Sequence, residues 1–395
     1  MSAEVEMRAA RGSVRALSRY RALATDRSIW RWYRREVVGR LRRLTRWEFW
    51  PAWAFYPPVV MYLLYLGLKH KNLTLFTAAN PGIPDGGFIG ESKYKILRQL
   101  ELSGSVPRTM LLKPSGVDDL VDTAKHFMRR EGLAFPIVLK PDVGQRGSRV
   151  SVIRSFGQMR EYLAAAQGPV IAQEYVAGLE FGVFYYRLPG WEKGQIFSIT
   201  EKVMPVVTGD GKRTLEDLML ADDRAMCMAE LYIWQNSAHA KRVLDHGERV
   251  QLVELGTHCR GAVFFDGSYA ITPALESAIE NIARTFQGFY FGRFDIRVPS
   301  VEDLKAGCNL KVLELNGVTS EATNIYDPQN TLLDAYRVLF RQWRIAFEIG
   351  ERNRVRGAQT TSLGRLVGAV LNYRQVSEAC KQQPSRELVP DIPLN

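Results

Sequence analysis

The stretch Phe135–Ile153, FPIVLKPDVGQRGSRVSVI, decides what kind of sheet this chain builds. A β-prone run ends at Lys140, a turn carrying Gly144 and Gly147 follows, and a second β-prone run, SRVSVI, begins at Ser148. A phosphate loop of the strand–loop–helix kind needs the order GxxxxGK[ST] and a helix behind it. Here the lysine precedes the glycines and a strand follows, so this stretch is not such a loop. What remains is a glycine turn between antiparallel strands. It is either an ordinary hairpin or a turn whose backbone N–H groups fold over an anion.

Working outward, the chain has 395 residues, with 46% apolar and 24% charged residues. That suits two or three structural units with sizeable cores. The net charge of +11 is unevenly spread. Residues 1–48 hold thirteen arginines, no lysine and five acidic residues, so +8 of the charge belongs to this segment. The four cysteines are far apart and form no CxxC or Cys/His cluster, which argues against a zinc site or disulfide framework and fits a reducing compartment. The first residues lack the apolar core and cleavage site of a secretory signal.

Within Ser13–Trp47, Trp30, Tyr33, Val37, Leu41 and Leu44 recur at helical steps with arginines between them. The pattern reads as a basic amphipathic helix, either packed on a domain or lying on anionic lipid. Phe49–Leu68, FWPAWAFYPPVVMYLLYLGL, follows with no charge over twenty residues. Its three prolines and its Trp and Tyr content fit an in-plane or re-entrant anchor better than a span. Both flanks are basic, and a nucleic-acid role for the arginine helix ranks below a membrane surface. The expected divisions are 1–48 (basic helix), 49–79 (aromatic, anchor-like), 80–350 (alternating strands and helices, an α+β pattern) and 351–395 (C-terminal extension). The expected location is the cytoplasmic face of the membrane.

Three further stretches carry candidate chemistry. In VIAQEYVAGLEFGV (Val170–Val183) an apolar strand runs into Gln173, Glu174 and Tyr175, and Gly178 turns the chain into a second strand with Glu180. This is a polar hairpin or an adenosine site, with Gln173 or Glu174 at the adenine amine, the backbone near Val176 at its edge and Glu180 on the ribose. In FSITEKVMPVVTGDGKRTLEDL (Phe197–Leu218), Lys202 lies within a strand as a phosphate partner or a solvated lysine, Asp210 serves the turn, and Thr214 with Asp217 caps a helix. GRFDIRV (Gly292–Val298) and LKVLELNG (Leu310–Gly317) are both strand-like. Alternation puts Arg293, Asp295 and Arg297 on one face, and Glu314 and Asn316 on one face. If the strands are neighbours, two carboxylates and an amide converge, a hard oxygen set for magnesium bound with phosphates. The competing account is a buried ion-pair network with the arginines.

The order Lys140, glycine turn, Gln-Glu-x-x-x-Gly-x-Glu, Lys202, Arg-x-Asp, Glu-x-Asn resembles the ATP-grasp superfamily of carboxylate–amine ligases, over about Ser92–Asp327. PVVTGDGKRTLEDLM is similar to the ligase domain of cyanophycin synthetase, and D-alanine–D-alanine ligase is another member of like order. The resemblance implies two α/β subdomains clasping ATP, preceded here by the helical aromatic segment. It implies that Lys140 and Lys202 hold ATP phosphates, with Arg98 in preference to Lys93 adding a basic contact from the first helix. Gly144, Gly147 and Ser148 would belong to the loop closing over ATP. Gln173, Glu174 and Val176 would face adenine, and Glu180 the ribose. Asp295, Glu314 and Asn316 would bind magnesium, with manganese a substitute. Arg293 would stabilise the phosphate and the tetrahedral intermediate. Arg260, in HCRGAVF (His258–Phe264), sits where the family has a substrate loop. The implied activity joins a carboxylate to an amine or other nucleophile through an acyl phosphate. The alternatives are phosphotransfer to a hydroxyl and a non-catalytic nucleotide- or lipid-binding module. VTSEATNIYDP after Gly317 departs from the substrate-carboxylate loop of the dipeptide ligases, which argues against D-alanine ligation.

Overall fold

The computed structural model describes residues 41–144, 147–222, 224–254, 256–257 and 261–382, with side chains through Tyr373. The arginine helix expected from Ser13 therefore lies mostly outside the described residues, as do Arg260 and the tail beyond Gln382.

Two antiparallel sheets organise the chain. The first has four strands in the order β1 (Thr109–Leu112), β4 (Val170–Glu174), β2 (Ile137–Pro141), β3 (Ser151–Ile153). Its strands pair antiparallel throughout, so the opening stretch is a hairpin with Leu139 opposite Ser151. Leu139, Ile137 and Ala172 face one side, where the helices Val117–Arg130 and Phe156–Ala164 cover them. Lys140 and Gln173, one residue out of phase, face the other side, because side chains alternate along a strand.

The second sheet has five strands: β11 (Lys311–Asn316), β10 (Phe291–Val298), β5 (Leu179–Tyr186), β6 (Gln195–Val203) and β9 (Val263–Asp266). One face carries Phe181, Val183, Phe294, Ile296, Val298 and Val312, all buried under the helix Pro273–Thr285. Truncating a ring such as Phe294 to alanine would cost on the order of 3–5 kcal/mol. The opposite face carries Glu180, Lys202, Asp295 and their neighbours. A small sheet, β7 (Val206–Thr208) with β8 (Arg249–Gln251), packs with the helices Leu215–Ala221 and Ala229–Gln235 as a satellite core. Thr214 caps the first of these helices, accepting from the Asp217 amide at 3.1 Å, and Asp210 accepts from the amides of Lys212 and Arg213 at 2.9 and 2.8 Å.

The aromatic stretch is built onto the domain. Pro57 and Pro58 occupy the first turn of the helix Pro57–Lys69, where their missing N–H groups cost nothing. Phe55, Val59 and Leu66 are buried against the long helix Leu332–Val355 and the 3-10 turn Leu75–Ala79. The outer face stays in solvent: Met61, Leu64, Tyr65 and Leu68 are 65%, 45%, 55% and 73% exposed. No helix among the described residues is long and apolar enough to cross a membrane. The helix Leu332–Val355 runs through residue 350, and Leu363–Gln382 follows it, with Leu366 buried in the same core as Leu66.

Candidate active site between the two sheets

The chain passes from the first sheet to the second through residues 175–178, between β4 and β5. Gly178 is needed there. Its φ is +119°, and a Cβ would stand 2.2 Å from the Val298 carbonyl oxygen. This close approach brings the open face of the first sheet against the polar face of the second.

Lys140 is buried, at 6% exposure, and spans that junction. Its Nζ donates to Gln173 Oε1 at 2.9 Å and to the Leu313 carbonyl of β11 at 3.0 Å. The register of β10 and β11 explains why that carbonyl is available. Asp295 pairs with Glu314 but Ile296 pairs with Val312, so Leu313 is the extra residue of a β-bulge. Burial pushes the Lys140 ammonium down to about 8, against the pull of Glu314. Both its hydrogen-bond acceptors are neutral, and among the described residues no carboxylate forms a salt bridge with it.

The polar face of the second sheet is a charged lattice. Lys202 Nζ lies 3.1 Å from Glu180 Oε1 and 3.0 Å from Asp295 Oδ1. Arg293 Nε donates to Asp295 Oδ1 at 2.9 Å, and its Nη1 donates to the Glu321 carbonyl at 2.7 Å. Arg297 Nη2 meets Glu180 Oε2 at 3.0 Å, and its Nη1 donates to the Val176 carbonyl at 2.7 Å. Burial would raise Asp295; the Arg293 and Lys202 cations reverse this and hold it at about 2. Glu180 is likewise pushed up by burial and brought below its ordinary range by Lys202 and Arg297. Gly182 stands opposite Asp295 on β5, and the missing side chain leaves room for the carboxylate. Asn316 Nδ2 donates to Asp295 Oδ2 at 3.2 Å.

Asp295 and Glu314 are therefore cross-strand neighbours, with Asn316 beside them. Among the described residues no three His, Cys, Asp or Glu side chains gather as a metal-binding group. Two carboxylates and an amide nonetheless suit the hard-oxygen preference of magnesium. The ion-pair reading holds as well: Asp295 is engaged by Arg293 and Lys202, so a metal there would compete with them.

Other expected residues fall less simply. Arg98 is turned away from the cleft, 57% exposed and paired with Glu101 at 2.8 Å. Lys93 takes the place expected for Arg98. Its Nζ is 3.6 Å from Glu314 Oε1 and donates to the Gly144 carbonyl. The five-residue step between them on the helix Lys93–Gln99 puts the two side chains about 140° apart. Glu174 faces away from the cleft too: its carboxylate accepts from the Arg108 guanidinium and amide at 3.0–3.1 Å, and Arg108 lowers its pKa. Gln173 is turned inward, between Lys140 and Thr109. Val176 offers a carbonyl already taken by Arg297. Gly147 abuts Thr257, Ser148 is exposed, and Gly256 lies over Glu180, so that a Cβ there would fall 2.3 Å from Oε1.

Two residues carry no signal in the sequence pattern. Asp142 accepts from Ser92 Oγ and the Tyr94 amide at 2.9 Å, tying the helix Lys93–Gln99 to the glycine turn. Glu91 is pushed up by burial, and its Oε2 is buried with no hydrogen-bond partner among the described residues. It sits close enough to Glu314 and Lys93 to feel both charges. The cleft thus gathers the cations Lys93, Lys140, Lys202, Arg293 and Arg297 among the carboxylates of Glu91, Asp142, Glu180, Asp295 and Glu314.

No protein-family model and no curated protein sequence matches the chain. Similar solved structures include a D-alanine–D-alanine ligase from Bacillus anthracis, at 14% identity and a TM-score of 0.39, covering 68% of this chain and 70% of that one. The ATP-grasp ligase PsnB, complexed with a minimal precursor, is similar at 16% identity and a TM-score of 0.35, covering 64% and 60%. A bifunctional glutathione synthetase from Pasteurella multocida matches at 13% identity and a TM-score of 0.35, covering 64% of this chain and 36% of that one. This chain thus spans little more than a third of the synthetase. At such identities the side chains of the cleft, and not the likeness, bear on function.

Proposed function

We propose that this chain is an ATP- and magnesium-dependent ligase that joins a carboxylate to an amine or similar nucleophile through an acyl phosphate. The observation that carries this is Lys140: a buried lysine that, among the described residues, hydrogen-bonds to neutral oxygens and faces a cleft lined with further cations. Such a group is costly to bury unless an anion completes it. A triphosphate between the sheets would be met by Lys140 and Lys202, with Lys93 beside the glycine turn. Magnesium bound by Asp295, Glu314 and Asn316 would draw charge from the transferring phosphoryl group. Arg293, which shares Asp295 with that site, would turn to the phosphoryl oxygens.

In the first step a substrate carboxylate oxygen attacks the γ-phosphorus. The bond to the bridging oxygen breaks and ADP leaves. In the second step the nucleophile attacks the acyl carbon, phosphate departs, and the amine loses a proton. The protein's share is positioning and charge stabilisation. Neither carboxylate nor nucleophile is identified by the site.

The chain would work at the cytoplasmic membrane face. Met61, Leu64, Tyr65 and Leu68 form an i, i+3, i+4, i+7 stripe in solvent, with Trp53 80% exposed before it. Leu363, Val367 and Leu371 continue the apolar surface on the last helix at 57%, 51% and 53% exposure. Exposed Lys69 and Lys71, together with the arginine-rich 1–48 segment, match an anionic lipid surface.

The test is a screen of carboxylate and amine pairs for ADP and phosphate release by the full chain. ADP with equal free phosphate, dependent on both substrates, supports ligation. ADP without free phosphate assigns phosphotransfer instead. Mg–ATP binding without ADP from any pair assigns a binding module.

A further inference from the structure

The aromatic segment reaches further into the cleft than an anchor requires. Tyr56 closes the short helix Ala52–Phe55 and opens Pro57–Lys69. Its hydroxyl donates to Glu321 Oε1 at 2.9 Å, across 265 residues of chain. The Tyr326 hydroxyl donates to Glu321 Oε2 at 2.9 Å. Glu321 is the residue whose backbone carbonyl accepts from Arg293 Nη1 at 2.7 Å. Gln342, buried on the helix Leu332–Val355, fixes the same backbone from the other side. It accepts from the Ala322 amide at 3.0 Å and donates to the Ser320 carbonyl at 2.8 Å.

We infer that Tyr56 and Glu321 are positioning residues for Arg293, so that the N-terminal aromatic segment is a working part of the catalytic cleft. The inference rests on the ATP-site reading of that cleft. Arg293 has two holds. One is Asp295, which a bound metal would claim. The other is the Glu321 carbonyl, a backbone oxygen outside the Asp295, Glu314 and Asn316 set. The second hold aims the guanidinium once the first is released. Its own fixity comes from the carboxylate clamped by Tyr56 and Tyr326 and from the Gln342 amide.

A contact made by the residue just before that segment points the same way. Glu48 Oε2 pairs with Arg224 at 3.4 Å, and Arg224 donates to the carbonyls of Gly261 and Ala262 at 3.5 and 3.4 Å. Residues 48–56 thus hold both loops that border the cleft, the one after Gly317 and the one before β9.

The test compares Mg–ADP with Mg–ADP–aluminium fluoride, a mimic of the transferring phosphoryl group, by calorimetry on the full chain. Wild type is expected to bind the mimic at least roughly a hundredfold more tightly than Mg–ADP. Arg293→Ala loses that gain. Tyr56→Phe and Glu321→Gln keep the Mg–ADP affinity and melting temperature but lose about tenfold or more of the gain, since misaiming by an ångström is enough. Trp53→Ala, on the same short helix but exposed, keeps all of it. The full gain in both Tyr56→Phe and Glu321→Gln overturns the inference, as does loss of Mg–ADP affinity in step with the gain, which marks a merely structural role. Failure of wild type to bind Mg–ADP at all is a separate result and removes the nucleotide reading itself.

Discussion

Lys140 Nζ lies 3.0 Å from the carbonyl oxygen of Leu313, so a side chain of one sheet closes on the backbone of the other. The contact depends on two local accidents of sequence. Lys140 sits out of phase with the apolar positions of β2, and Leu313 is the bulged residue of β11. The result is a buried ammonium whose charge is left, among the described residues, without a carboxylate hydrogen-bond partner.

That arrangement fixes a pH dependence. A triphosphate needs Lys140 charged, and burial has brought the group down to about 8 from its ordinary 10.5. Mg–ATP affinity should hold below pH 8 and fall by roughly tenfold per unit above it. Binding near pH 9 should take up close to one proton, read by calorimetry in buffers of different ionisation enthalpy. Fold stability moves the opposite way. Between pH 8 and 10.5 the unfolded chain binds more protons at this residue, so its burial penalty shrinks as pH rises. Wild type should therefore gain stability relative to Lys140→Met across that window. A pH-independent affinity would remove Lys140 from the phosphate site.

Asp295 and Glu314 face each other across β10 and β11, yet their removal should differ. Asp295→Asn leaves Arg293 buried without its carboxylate and Lys202 with Glu180 alone, and should cost about 3 kcal/mol of stability. The Glu314 side chain is 31% exposed and touches Lys93 at 3.6 Å, so Glu314→Gln should cost less than about 1 kcal/mol. Both should lose magnesium-dependent nucleotide turnover. The Asp295 contribution is complete above its unfolded value of 3.8 and is lost as pH falls toward 2, so the gap between wild type and Asp295→Asn should narrow in acid. Equal melting temperatures for the two variants at pH 7 would contradict the ion-pair account.

The features legible in the residues are those that depend on local period alone. Side chains two apart on a strand share a face whatever the partner strand. The convergence of Arg293, Asp295, Glu314 and Asn316 needed only the guess that the two strands pair. The hairpin around Gly144 and Gly147, and the cap at Thr214, were equally local. The bulge at Leu313 was not, because it is a property of two strands in register. The orientation of Glu174 is not local either: Arg108, far away in sequence, claims its carboxylate. In Phe49–Leu68 the apolar run was plain, but which face packs on Leu332–Val355 depends on a helix phase set by Pro57 and Pro58.

Helix phase also separates Lys93 from Arg98. Ser92 caps the helix Lys93–Gln99, accepting from the Lys95 amide at 3.1 Å, and this starts Lys93 on the cleft side. Lys93→Ala should weaken Mg–ATP binding by about tenfold, the loss of one charge-assisted contact of roughly 1.5 kcal/mol. Arg98→Ala should leave it unchanged, since that guanidinium is spent on Glu101 in solvent. The reverse order in a titration of the two variants would restore Arg98 to the site.

The exposed stripe on the helix Pro57–Lys69 permits a test that separates the membrane from the fold. Met61 and Leu64 point to solvent, whereas Val59, two residues before Met61, is 3% exposed in the core. Replacing Met61 and Leu64 together with glutamate removes apolar surface and adds charge that an anionic headgroup layer repels. The double variant should keep its melting temperature and Mg–ATP affinity yet lose at least about tenfold in co-sedimentation with vesicles containing an anionic phospholipid. Val59→Asp buries a charge and should unfold the segment instead, lowering the melting temperature. Wild-type binding should weaken as salt is raised, because Lys69, Lys71 and the N-terminal arginines act through a screened field. If the double variant sediments with vesicles as wild type does, the stripe is not the lipid-facing surface.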